Sequence, residues 1–241
     1  MSETTEIVPA GRRCWSVSWP EYTPADVTPP GLRPSALAHH VPDWAEAAPA
    51  PTDVPDWDGR RRSALVPFVL DERGWPLHPH GRTGCTGRNL GRWGENRAAD
   101  PIVVAGHGQQ RRVLLITRED IGLEAIPGGM VDPGETAPAA LVRELREETR
   151  VDLRDHTPVI LGHEIVDDWR NSDHAWVAST SALFQLPKEV TATAASDALD
   201  ANWWPFGSLT LLEAAVTAAG RTLYAAHRPL LQRALTHLAQ H

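Results

Sequence analysis

The spacing of apolar positions changes several times along the chain, and each spacing predicts an element. Trp15-Ser16-Val17-Ser18-Trp19 alternates apolar and polar residues, the period of a half-buried strand. Residues 64–70 (Ala-Leu-Val-Pro-Phe-Val-Leu) read as a further strand. Ile102-Val103-Val104 and Val113-Leu114-Leu115-Ile116 are short apolar runs split by a turn around Gly106 to Gln110, so they predict two strands. Ala139 to Glu148 has helical periodicity. Val159 to Val166 and Ala175 to Phe184 read as strands, Trp203-Trp204 closes a last strand, and residues 208–219 and 226–240 read as helices. Strands mixed with a few helices predict an α/β sandwich around a mixed sheet.

Proline usage divides this pattern. Residues 1–63 hold ten of the 21 prolines, and Pro20, Pro24, Pro29 and Pro30 break any long element. Four tryptophans in the same stretch (Trp15, Trp19, Trp44 and Trp57) supply more aromatic surface than a free linker carries, so this arm is expected to pack. The resulting division is an N-terminal arm or small lobe over 1–63, a strand and Gly/Arg-rich connection over 64–100, and a main domain over 101–241.

The formal net charge of −8 argues against a broad grip on a nucleic-acid backbone, which needs clustered cations. It leaves room for a small phosphorylated ligand, because cations neutralise an acidic site. The two cysteines, Cys14 and Cys85, are too few for a disulfide framework, and no apolar run approaches the roughly 20 residues of a membrane span. The acidic N-terminus lacks the basic start and apolar stretch of a signal peptide, so a cytoplasmic, reducing location is expected.

The chemistry concentrates between Gly128 and Val151. Glu144, Glu147 and Glu148 stand at i, i+3 and i+4, one face of a helix. Three like charges so placed repel one another unless a cation joins them. A solvated acidic face balanced by Arg143, Arg146 and Arg150 is the plain alternative. The preceding Pro127-Gly128-Gly129 and Gly134 bend the chain tightly, and Glu135 follows that bend. Hard carboxylate oxygens suit Mg²⁺ or Mn²⁺, which would neutralise a diphosphate and lower the pKa of an attacking water.

This segment resembles the Nudix box, G-x5-E-x7-R-E-U-x-E-E-x-G-U with U apolar. Gly129, Glu135, Arg143, Glu144, Leu145, Glu147, Glu148 and Val151 occupy its fixed positions, and Arg150 stands where its last glycine is usual. The resemblance implies an α/β/α sandwich around a mixed sheet, here with a Pro/Trp-rich, β-containing N-terminal lobe. It also implies Mg²⁺ (Mn²⁺ substituting) on Glu144 and Glu148, with Glu147 beside them. Arg143 would orient the glutamates, Glu135 would support the helix start, and Gly129 would let backbone approach the metal.

Three segments narrow the substrate: Gly81 to Ile102, Ile126 to Glu135, and Val166 to Trp176. With Trp19-Pro20-Glu21-Tyr22 in the arm, they resemble the animal mitochondrial-type ADP-ribose pyrophosphatases and the related ADP-ribose-sensing domain of a cation channel. The resemblance implies hydrolysis of ADP-ribose to AMP and ribose 5-phosphate, with Asp168 and Arg170 contacting phosphate and terminal ribose. Trp169 stands where a proline is usual and His174 where an asparagine is usual. The Gly/Arg run could offer Arg82 or Arg88 to an anion or serve as a hinge. For the general base, Asp197 and Asp200 are candidates, with Glu147 or Glu148 as substitutes. Two other readings stay open: a broader Nudix hydrolase of NADH, nucleotide sugars or dinucleoside polyphosphates, and an ADP-ribose sensor that does not cleave. The expected partner is a small nucleoside diphosphate, with neither nucleic acid nor membrane, and monomer and dimer are both open.

Overall fold

A computed structural model describes residues 8–240. It divides into two compact units. One comprises the chain up to Arg97 together with Ile165–Ala178; the other comprises Ala98–Glu164 and the chain from Ser179 onward.

The first unit is poor in regular structure. Its elements are β1 (Ala25–Asp26), α1 (Pro34–Leu37), α2 (Trp57–Ser63), β2 (Val69–Leu70), β3 (Pro76–Leu77) and β4 (Cys85–Thr86). β1 pairs in parallel with β4, and β2 with β3 antiparallel. A small aromatic core does the packing: Phe68 meets Trp176 edge-on at 5.2 Å and Trp57 at 6.0 Å. Trp176 is fully buried, as a core residue.

Two expectations fail here for electrostatic reasons. Trp15 to Trp19 forms no strand. The Arg82 guanidinium donates to the carbonyls of Arg12 and Cys14, each at 2.8 Å, and of Val17 at 3.0 Å. Three carbonyls from one short stretch converging on one cation demand a wrapped backbone, whereas a strand points its carbonyls alternately apart. Likewise only Val69–Leu70 of residues 64–70 is a strand. The N–H groups of Leu65 and Val66 both donate to the Glu95 carboxylate, at 2.9 and 3.1 Å, and are lost to sheet pairing.

The second unit holds most of a seven-stranded sheet. Its strands are β5 (Gly94–Ala105), β6 (Arg112–Arg118), β7 (Glu124–Ala125), β8 (Gly129–Met130), β9 (Val159–Ile165), β10 (Ala175–Leu186) and β11 (Ala198–Pro205). The order is β11-β6-β5-β10-β9, with β7 added to β6 and β8 to β5. α3 (Ala137–Thr149) covers one face, and α4 (Leu209–Ala218) and α5 (Arg228–Gln240) the other. The strand period sorts the side chains. Ile102, Val104, Val113 and Leu115 pack with Leu212 and Leu231, while Val103 and Leu114 pack with Leu141 and Leu145. Burial on both faces explains why these strands read as unbroken apolar runs. The result is the expected sandwich. Among the described residues, no helix is long and apolar enough to cross a membrane.

Candidate active site

α3 starts and stops on local chemistry. The Thr136 hydroxyl accepts from the Ala139 N–H, and Pro138 occupies the first turn, where its missing N–H costs nothing. At the other end Arg150 caps the helix with φ 59°, in the left-handed region, and donates its N–H to the Arg146 carbonyl at 3.0 Å. A glycine would enter that conformation without a Cβ penalty, which accounts for glycine being usual there and makes Arg150 a strained substitute. Leu141 and Leu145 bury the inner face, leaving Glu144 and Glu147 half-buried along the flank beside the buried Glu148.

Arg143 ties the carboxylates together. Its guanidinium donates to Glu135 at 2.8 and 2.9 Å, to Glu144 at 2.8 Å, to Glu147 at 3.1 Å and to the Met130 carbonyl at 3.0 Å. The planar fork suits this multiple donation as a lysine could not. Arg143 holds the Glu135 carboxyl below its usual range, and the glutamates raise Arg143 in return. The Glu135 carboxylate also accepts from the Asp132 N–H at 3.1 Å, closing the bend that precedes the helix.

The two glycines before the bend are needed for space. A Cβ on Gly129 would lie 2.5 Å from Glu144 Oε1, and one on Gly128 would lie 2.6 Å from both the Ala99 carbonyl oxygen and Asp100 Oδ1. Backbone and carboxylates therefore approach more closely than any side chain permits. The Gly128 N–H uses that proximity to donate to Glu148 Oε2 at 2.8 Å.

Glu148 is only 4% exposed, and burial pushes it up to about 8, reinforced by Asp197 and Glu144 and opposed by the Gly128 N–H. Glu144 is also raised, first by burial, with Glu147 and Asp197 adding to the effect of desolvation. Asp100 lies buried beside this cluster, where desolvation lifts it to about 7 while the Ser179 hydroxyl donates to it.

These carboxylates crowd charge that a divalent cation would discharge, and their hard oxygens match Mg²⁺ or Mn²⁺. Among the described residues, no three His, Cys, Asp or Glu side chains have already converged on a metal position. Instead Arg143 and the Gly128 N–H hold one oxygen from each of Glu144, Glu147 and Glu148. The donor set fits a divalent cation in chemistry and needs small rotations to enclose one.

The two candidate bases separate. Asp197 is exposed and close enough to raise both Glu144 and Glu148. Asp200 lies on β11 and accepts from Arg221 at 2.6 Å, which lowers its carboxyl and spends its basicity on an ion pair. Asp197 lies just before β11, next to Ser196, which takes left-handed backbone (φ 56°).

Asp168, Arg170, Arg82 and Arg88 belong to the first unit. Arg170 donates to both oxygens of the buried Asp168 at 2.8 and 2.9 Å, making one locked turn, beside which Trp169 is 64% exposed. Arg82 is committed to the three carbonyls already described and lies over the Trp15 and Tyr22 rings at 5.0 and 5.4 Å. Arg88, wholly buried, donates to the carbonyls of Gly91 and Glu46, each at 3.0 Å, and lies 3.6 Å from the Glu46 carboxylate. An anion-binding role for Arg82 or Arg88 would have to compete with these bonds; the geometry gives both a structural task. His174 uses Nδ1 on the Pro76 carbonyl at 2.8 Å.

Sequence reasoning passed over Asp100 and His227, and took Gly128 only as part of the bend. Asp100 carried a signal: an acid inside an apolar strand, Ala98-Ala99-Asp100-Pro101-Ile102, needs a partner or a purpose. His227 carried none, since its contacts are made far away in sequence.

Known proteins share long stretches of this sequence. The family profile "NUDIX domain" matches residues 95–226, and "NUDT9-like, N-terminal domain" matches residues 8–94. The rat protein "ADP-ribose pyrophosphatase, mitochondrial" is 33% identical over 241 residues, covering 81% of this chain and 66% of its own length. The Caenorhabditis elegans "Putative nudix hydrolase 6" is 36% identical over 209 residues, covering 78% of each chain. A Nematostella vectensis protein, "Transient receptor potential cation channel subfamily M member-like 2", is 33% identical over 233 residues, covering 78% of this chain and 14% of that one.

Proposed function

The chain belongs to the Nudix hydrolase family, and on that premise we propose that it hydrolyses the diphosphate of ADP-ribose to AMP and ribose 5-phosphate in a Mg²⁺-dependent reaction. The observation that carries the reading is the Arg143 cluster: Glu135, Glu144 and Glu147 held by one guanidinium beside a buried Glu148. The name of the rat relative directs the choice of substrate.

Nudix hydrolases generally use a divalent metal, and Glu144, Glu148 and Glu147 are the residues that would hold it. When bound there, Mg²⁺ or Mn²⁺ neutralises the diphosphate and makes water a better nucleophile. The chain's own residues supply position and proton transfer. Arg143 fixes the glutamate rotamers before substrate arrives, so little reorganisation is left for the reaction. The Gly128 N–H holds one oxygen of Glu148 and leaves the other for the site. Water adds to one phosphorus, the bond from that phosphorus to the bridging oxygen breaks, and that oxygen leaves on the other phosphate. Asp197, exposed and near enough for its charge to raise Glu144 and Glu148, takes the proton released by the water.

The test is product analysis with Mg²⁺ and, separately, ADP-ribose, NADH, ADP-glucose and diadenosine tetraphosphate. AMP release from ADP-ribose far faster than from the rest is the expected result. Comparable cleavage of several would keep the hydrolase and discard the narrow substrate. Binding of ADP-ribose with no cleavage would turn the site into a sensor.

A further inference from the structure

The catalytic loop is supported from behind by a segment near the end of the described chain. The Glu124 N–H donates to the Thr222 carbonyl at 2.9 Å, and the Tyr224 N–H donates back to the Glu124 carbonyl at 2.7 Å. Two residues on, the Ile126 N–H donates to His227 Nδ1 at 3.0 Å. After Ile126 come Pro127, which has no N–H, and then Gly128 and Gly129, the two residues pressed against the site carboxylates.

His227 is 5% exposed, so its ring nitrogens need protein partners. A backbone N–H can only donate, so Nδ1 must be an acceptor and the ring proton of the neutral form sits on Nε2. Nε2 lies 4.0 Å from Asp100 Oδ1. That same oxygen lies where a Cβ on Gly128 would clash, at 2.6 Å. The Tyr224 ring packs on the imidazole at 4.9 Å, edge to face. The imidazole thus meets the loop just before the glycines on one side and the Asp100 wall behind Gly128 on the other.

We propose that His227 is a positioning residue for the metal-binding glutamates: by accepting the Ile126 N–H it sets the path of residues 126–129, and through the Gly128 N–H and the bare Gly129 backbone it sets where Glu148 and Glu144 stand. It touches neither substrate nor metal. This rests on the reading of the glutamate cluster as a hydrolytic metal site, and the test separates the two. Supporting groups of this kind contribute about 10–100-fold to metal affinity or activity.

The experiment measures Mn²⁺ binding by electron paramagnetic resonance alongside kcat and KM for ADP-ribose, in the full chain and in His227→Ala and His227→Asn. An Asn amide oxygen can take the place of Nδ1 as acceptor, so it is the conservative variant. The expected result for His227→Ala is Mn²⁺ binding weaker by about 10–100-fold and a lower kcat, with KM moved less than about threefold. His227→Asn is expected to recover most of both. A folded His227→Ala that binds Mn²⁺ like the unmodified chain overturns the proposal, as does an Asn variant as impaired as Ala. An unmodified chain that binds Mn²⁺ but cleaves nothing removes the hydrolytic reading alone, and the Mn²⁺ series still decides His227. An unmodified chain that binds no Mn²⁺ removes both. Should the variants fail to fold, amide hydrogen exchange in the unmodified chain decides. Saturating Mg²⁺ should slow the Ile126 and Gly128 amides together, and an Ile126 amide indifferent to Mg²⁺ overturns the coupling.

Discussion

Arg82 and Arg88 in the first unit and Arg143 in the second each gather several polar groups, and their partners differ in kind. In the first unit Arg82 and Arg88 end on backbone carbonyls and aromatic faces, with Glu46 alone offering a carboxylate to Arg88. In the second unit Arg143 ends on three carboxylates and one carbonyl. Carbonyls satisfy a guanidinium without bringing countercharge, so Arg82 and Arg88 bind stretches of irregular chain into a body that few strands or helices could frame. Carboxylates brought by Arg143 exceed its single charge and leave an acidic remainder. One arrangement yields a scaffold; the other leaves a place for a cation.

The comparison can be broken at either end. The largest effect is expected at Arg88. Replacing it with Ala empties a wholly buried position and takes the donor from the Glu46 carbonyl, and urea unfolding should show a loss of about 3–5 kcal/mol. An unchanged unfolding midpoint with a raised KM for ADP-ribose would return Arg88 to the substrate and dissolve the contrast.

Glu148→Gln should cut kcat by about 10² or more at saturating Mg²⁺, roughly 2.7 kcal/mol of barrier. It should also stabilise the cation-free protein. In the folded state Glu148 keeps its proton up to about pH 8, against an ordinary value of 4.5. The unfolded chain therefore releases that proton first as pH rises, and stability falls through this window. The Gln variant lacks this loss, so at pH 7 it should gain on the order of 2–3 kcal/mol in EDTA. Part of the slope remains, because Asp100 is shifted the same way. A cation-free Gln variant that melts with the parent at pH 8 would remove the buried-charge account of the site.

Arg143→Lys should fold normally and lose about 10-fold or more in kcat, since an ammonium cannot hold three carboxylates in plane. The smallest effect is at Arg150. Changing it to Gly removes left-handed strain and should raise stability by about 0.5–1 kcal/mol without touching kcat. A loss of stability there would mean that the Arg150 side chain contributes more than its backbone costs.

The second unit was largely legible in the sequence because its information is local. The period of α3 fixes which glutamates share a face, the Thr136 and Arg150 ends lie within the motif, and the apolar runs correspond to β5, β6, β9 and β10. The first unit resisted because its shape is set by partners distant in sequence. Arg82 reaches back to Arg12, Cys14 and Val17, and Glu95 captures the Leu65 and Val66 N–H groups. No window of a dozen residues contains those pairs, so alternation at Trp15 to Trp19 predicted a strand that a remote cation unmade. The same limit hid His227, whose bond to Ile126 joins the beginning of the motif to the far side of the sheet. For Asp100 the residue was visible and its surroundings were not.

The bond between Ile126 and His227 also has a consequence in time. A chain leaving the ribosome completes the glutamate helix well before residues 221–227 emerge. At ~5–20 residues per second the interval is about 4–16 s. During it every box carboxylate is already present, while Glu124 and Ile126 have nothing behind them. The ability to hold a cation should therefore arrive late in synthesis, with the segment around Tyr224 and His227, and not with the motif that names the family.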